Sequence, residues 1–258
     1  MTIKYKHITR LGLAAAFIGS ATLVACSDKP KDDAAETKTG IEQSTTPHEM
    51  DKGGEGGEGG EAGHAMDMDV LPLPKRLAFM AGHVEAGLSL YRAGEPKMAS
   101  KHLLHPVSET HAKERAGIDK LGFKGGIFEK VSRALDQGQA AADIEPQLIA
   151  AEKNLDAVRA KAGGDPVEIL NFLMNTIIDE YSIGVTDGTV TDAGEYQDAW
   201  GFAIVARKTA KDMPEIVKTD IETLIKLWPV SPIPPAHPAP VAQVTALVSK
   251  IQLNLPKN

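Results

Sequence analysis

The densest set of potential metal ligands in the chain is MASKHLLHPVSETH, residues 98–111. On a helix turning about 100° per residue, Met98, His102, His105 and Glu109 share one narrow face. Leu103, Leu104 and Val107 share the opposite one. Two imidazoles and a carboxylate at such spacing suit a transition metal. The pattern equally fits a helix whose leucines face the core while His102 and His105 face water or a partner. His111 falls among the leucines, where a core histidine would sit, and Pro106 bends the helix. His83 and Glu85 point to different sides of their own helix, so His83, beside Phe79 and Leu90, belongs to a wide buried face.

A second candidate is DEYSIGVTDGTVTDAGEYQDAWGFA, residues 179–203, with one acid–phenol pair at each side of a turn. The pairs are Glu180–Tyr181 and Glu195–Tyr196. Carboxylates and phenols suit Fe(III), whereas His and Met suit copper, so the donors leave iron and copper both open. Asp187–Gly188 is a turn signal, Asp192 a helix N-cap, and Glu195 the third residue of the helix it opens. A helix junction therefore accounts for Glu195 without a metal. It accounts for the tyrosines only if each phenol satisfies a buried backbone group.

These residues must be held by helices. RLAFMAGHVEAGLSLYR places Leu77, Met80, Val84, Leu88 and Tyr91 on one face, with Gly94 as a stop and Pro96 opening the next helix. IEPQLIAAEKNLDAVRAKAGG repeats the logic with Leu148, Ile149, Leu155 and Val158. DPVEILNFLMNTIIDEY starts on Asp165 as N-cap and Pro166 in the first turn. Further helices fit 194–211, 213–227 and 240–252, and strand-like alternation is almost absent. The expected fold is all-α: an antiparallel helical bundle over residues 71–258, with a Pro-rich crossing at WPVSPIPPAHPAP before the last helix. That crossing reads as a spacer in preference to a ligand for a partner domain.

The first 25 residues read as a secretory signal: Lys4, Lys6 and Arg10, a short apolar stretch, then Leu23–Val24–Ala25–Cys26. The last four resemble a bacterial lipobox, with lipid attached to Cys26. This implies a periplasmic protein anchored through palmitate-type chains, and Ser27 leans toward the outer membrane over the inner. Cys26 is the only cysteine, so no internal disulfide is available. Residues 26–70, rich in Gly and Glu, read as a flexible tether. Its His48, Met50, His64, Met66 and Met68 are weak Cu or Zn donors at most. The net charge of −7, with no basic cluster, argues against nucleic acid.

The junction resembles the soluble helical domain that precedes the membrane part of some bacterial high-affinity iron permeases. The matching residues are Glu180, Tyr181, Val185, Gly188, Val190, Glu195, Tyr196 and Asp198, without a gap. Tyr91, Gly94, Glu95 and Glu109 resemble that domain's first hairpin. The permease's Arg-Glu-Gly-Leu-Glu transport motif and membrane helices are missing, so the resemblance implies a stand-alone periplasmic version. A looser likeness, to imelysin-like bundles, fails at Gly82–His83–Val84–Glu85, which lacks the Gly-x-His-x-x-Glu spacing.

The resulting expectation is a lipid-anchored periplasmic protein that binds or hands over a transition metal, iron favoured, with a metal permease or other transport protein as partner. Its expected ligands are His102, His105, Glu109, Met98 and Glu195, with Glu180, Tyr181, Tyr196 and His83 behind them. The competing expectation is an interaction module of a transport system without a metal site. No nucleophile elbow, phosphate loop or His-Glu-x-x-His helix marks it as an enzyme, and a metal-dependent hydrolase is the residual enzymatic option.

Overall fold

The computed structural model describes residues 71–104, 117–229 and 232–257. The lipobox, the tether, His105, Glu109 and His111 lie outside the described residues. Among the described residues the fold is all-α, with eight α-helices: α1 Leu73–Arg92, α2 Pro96–Leu104, α3 Gly125–Asp136, α4 Ala141–Ala162, α5 Pro166–Gly184, α6 Ala193–Thr209, α7 Glu215–Ile225 and α8 Val241–Asn254. None of them is long and apolar enough to cross a membrane. The helix α3 was not anticipated from the sequence.

Local chemistry sets most boundaries. Pro96 opens α2 after Gly94 at φ +86°. Asp165 caps α5 by accepting from Val167 N–H at 2.9 Å, with Pro166 in the first turn. Asp192 caps α6 through Gly194 N–H at 2.9 Å and Glu195 N–H at 3.3 Å. The turn between α5 and α6 carries a feature the sequence reading lacked. Val185–Thr186 (β1) pairs antiparallel with Thr189–Val190 (β2), closing on Asp187 and Gly188. Both turn residues have positive φ, +51° and +74°, as a tight hairpin requires. Ile149 also departs from expectation. It is 38% exposed, while Leu148, Ala151, Leu155 and Val158 carry the buried stripe of α4. Ile149 stands about 100° round from Leu148, just off that stripe.

The core centres on α6, where every residue from Glu195 to Ala206 is buried. It packs against α1, α5 and α7, and α1 in turn meets α2, α4 and α5. A helix enclosed on all sides has no solvent face for its polar residues, so Glu195, Gln197 and Asp198 must find partners inside. The α1–α6 crossing is made by glycines. A Cβ on Gly201 would lie 2.1 Å from the Gly82 carbonyl oxygen, and one on Gly82 would lie 2.1 Å from the Phe202 ring.

The Pro-rich crossing seals one end of the bundle. Trp228 packs edge-on against Tyr181 at 5.2 Å and lies 6.0 Å from Tyr196. The Tyr181 hydroxyl donates to Ala239 O at 2.8 Å, and Trp228 Nε1 donates to Tyr196 O at 3.1 Å. Tyr181→Phe should therefore lose about 1–3 kcal/mol, because the Ala239 carbonyl is left without this donor. Urea unfolding at neutral pH measures it; an unchanged midpoint would show that the bond contributes nothing.

Candidate metal centre

Three helices converge their polar side chains beside the glycine crossing. His83 comes from α1, His102 from α2 and Asp198 from α6, at 5%, 7% and 8% exposure. Asp198 Oδ1 lies 2.7 Å from His83 Nδ1 and 2.9 Å from His102 Nδ1. One ligand atom from each of the three lies within 4.8 Å of the others. The two imidazoles are nearly parallel, their centroids 6.5 Å apart. Phe79 and Phe202 close around His83 edge-on, at 4.7 and 5.4 Å. Gly87 lets α2 come near enough, since a Cβ there would meet Leu103 Cγ at 2.7 Å and His102 Cβ at 3.2 Å.

His102 is bound at both nitrogens. Its Nε2 lies 2.9 Å from Gln197 Oε1, and the Gln197 amide is oriented by donating from Nε2 to Met98 Sδ at 3.2 Å. Two oxygen acceptors around one imidazole fit a ring that donates from both sides. Burial alone would raise the Asp198 carboxyl, but His102 and His83 overcome it and hold the group well below the usual carboxylate range. Asp198 is thus an ionised carboxylate in a buried site.

A second acidic pair stands next to it. Glu180 on α5 is hydrogen-bonded to Glu195 on α6. Burial, that bond, the charge of Glu195 and then that of Asp198 push Glu180 far above the usual carboxylate range. Burial against a second carboxyl favours the protonated form of Glu180. The first turn of α6 favours negative charge at Glu195.

These donors fit a transition metal: two imidazole nitrogens and carboxylate oxygens, enclosed by aromatic walls and fixed on helices. Residues 164–258 match the family model of the Iron permease-associated 4-helix bundle domain. No curated protein and no solved structure matches the chain. The match spans α5 to α8, well under half of the chain. Glu180, Glu195, Gln197 and Asp198 lie inside the matched segment, while His83 and His102 precede it. The cluster is therefore assembled from both sides of the segment's edge.

Of the residues expected as ligands, the structure brings His102 and Glu195 to this region. It buries His102, which removes the solvated alternative for that histidine. His83, expected only behind the ligands, bonds directly to the central carboxylate. Met98 stands outside His102, with Gln197 between them and 38% of its surface exposed. The two Glu-Tyr pairs do meet, but their parts separate. The glutamates bond to each other, and the tyrosines pair at 5.7 Å within the aromatic core. Tyr181 and Tyr196, expected behind the ligands, pack with Trp228 at the start of the Pro-rich crossing. Asp198 was not among the expected site residues although it belongs to the motif that carried the resemblance. A charged residue immediately before the small and apolar run AWGFAIVA, residues 199–206, was its available signal. Gln197 had none.

Proposed function

We propose that this chain is a metal-binding component of an iron uptake system, and that His83, His102 and Asp198 hold the metal with Glu195 and Glu180 beside them. The observation that carries the reading is two buried imidazoles converging on one ionised carboxylate, next to an acidic pair. The match over α5–α8 supports iron as the cargo. The lipobox supports anchoring through Cys26 on the periplasmic side of a membrane, the outer one in preference, with a metal permease as the receiving partner.

The chemistry is an exchange of protons for metal. In the metal-free cluster the Nδ1 protons of His83 and His102 point at Asp198. An ion among these atoms takes their place, so imidazole protons leave as it binds. Neutral imidazole nitrogens and carboxylates then supply its ligands, and the helices hold them in place.

The test is titration of the full chain with Fe(II) and Zn(II), beside a variant carrying His83→Gln and His102→Gln. The variant keeps the tether, so its weak donors cancel. It should bind at least about a hundredfold less tightly. Wild-type affinity should also fall as pH drops, because protons compete with the ion for the same imidazole nitrogens. Equal binding by the two proteins would leave the cluster as a closed polar network, and the chain as an interaction module of a transport system.

A further inference from the structure

A histidine that ligates a metal through one ring nitrogen gives the hydrogen on the other to an acceptor, and that second bond decides which nitrogen meets the ion. The contacts around His102 carry this information, because the chain of bonds ends on an atom that can only accept.

That atom is Met98 Sδ. A thioether has no hydrogen to give, so the end of the Gln197 side chain that lies 3.2 Å from it is the NH₂ group. The opposite end, 2.9 Å from His102 Nε2, is then the carbonyl oxygen. An oxygen that close to a ring nitrogen needs a hydrogen between them, and an amide carbonyl has none to offer. His102 therefore carries a hydrogen on Nε2. Gln197 is 2% exposed, so water does not compete for this bond. The other ring nitrogen, Nδ1, lies 2.9 Å from Asp198 Oδ1.

Resting on the reading of His83, His102 and Asp198 as a metal centre, we infer that Gln197 is its positioning residue: the amide carbonyl holds the hydrogen of His102 on Nε2, so that Nδ1 is the nitrogen offered to the ion beside Asp198. When the ion binds, the hydrogen between Nδ1 and Asp198 leaves to solvent, and the one on Nε2 stays with Gln197. Gln197 itself touches no ion. Met98 acts one step further out, by setting which end of the amide faces the ring.

The full chain, with isotopically labelled histidines, is titrated with Zn(II) and followed by nitrogen NMR. The signals of His102 are identified by their loss in His102→Gln. Nδ1 should take a metal-bound shift while Nε2 keeps its hydrogen. Zinc on Nε2 overturns the inference and leaves the metal centre standing. Gln197→Leu should bind Zn(II) at least about tenfold less tightly than the wild type. Gln197→Glu, which restores an oxygen acceptor, should bind it more tightly than Gln197→Leu does. Equal affinity of the wild type and Gln197→Leu also overturns the inference. If Zn(II) leaves both nitrogens of His102 unchanged, the metal centre itself falls and this inference with it. The nitrogen that takes the zinc is read on the unmodified chain, so that result holds if Gln197→Leu fails to fold.

Discussion

Asp198→Asn should lower the thermal midpoint at neutral pH by on the order of 10 °C. Its carboxylate is the shared partner of two buried histidines, at 2.7 and 2.9 Å. Removing one member of a buried ionic cluster costs about 3–5 kcal/mol, since the rest keeps its desolvation cost and loses its compensation. In a domain of this size each kcal/mol moves the midpoint by about 2–4 °C. The pH dependence has a definite sign. The Asp198 carboxyl is depressed in the folded protein, so its contribution is complete above the ordinary aspartate value and is lost as pH falls through the lower folded value. The gap between wild type and variant should therefore be wide at pH 7 and close under strong acid. Thermal melts at both pH values measure it. A gap that stays the same under acid would show that the loss is not electrostatic.

Gly201→Ala should be as severe for a different reason. The added methyl would lie 2.1 Å from the Gly82 carbonyl oxygen and 2.9 Å from its carbon. Both are backbone atoms, so no rotamer change relieves the contact, and α1 must move away from α6. Overpacking of a tight core costs about 1–3 kcal/mol, with more where backbone has to shift. The same movement draws His83 away from Asp198, because they sit next to this crossing on the two helices. Gly201→Ala should therefore weaken metal binding without touching a ligand. Melting temperature and Zn(II) affinity measured together test this, and a variant that melts like wild type would show that the crossing has slack.

What was legible in the sequence is what local rules govern. Asp165, Pro166, Asp187–Gly188 and Asp192 announce the ends of α5 and α6, because caps and turns are decided within a few residues. The helical faces of α1 and α4 were legible for the same reason, apart from Ile149 at the edge of its stripe. The centre was not, because its bonds join residues 115 and 96 positions apart. Periodicity places His102 on a face of α2 but says nothing of how α2 is rotated against α6. Both Leu103 and His102 turn out buried, since α2 is enclosed between α1 and α3. A two-sided picture of that helix, with one face for leucines and one for histidines, had no place for this. The neighbours Glu195 and Tyr196 likewise serve different ends, because one step along a helix is about 100° of rotation.

The position of the matched segment has a consequence for inheritance. Its boundary falls at Gly164, between α4 and α5. Exchanging everything after that boundary for another copy of the domain would carry off Glu180, Glu195, Gln197 and Asp198 and leave His83 and His102 behind. Neither piece alone carries both the imidazoles and the carboxylates of the cluster, so recombination at the edge of the matched segment would separate them even where each piece kept its helices. The heritable unit of this site is longer than the domain that marks it, and α1 and α2 must travel with α5 and α6.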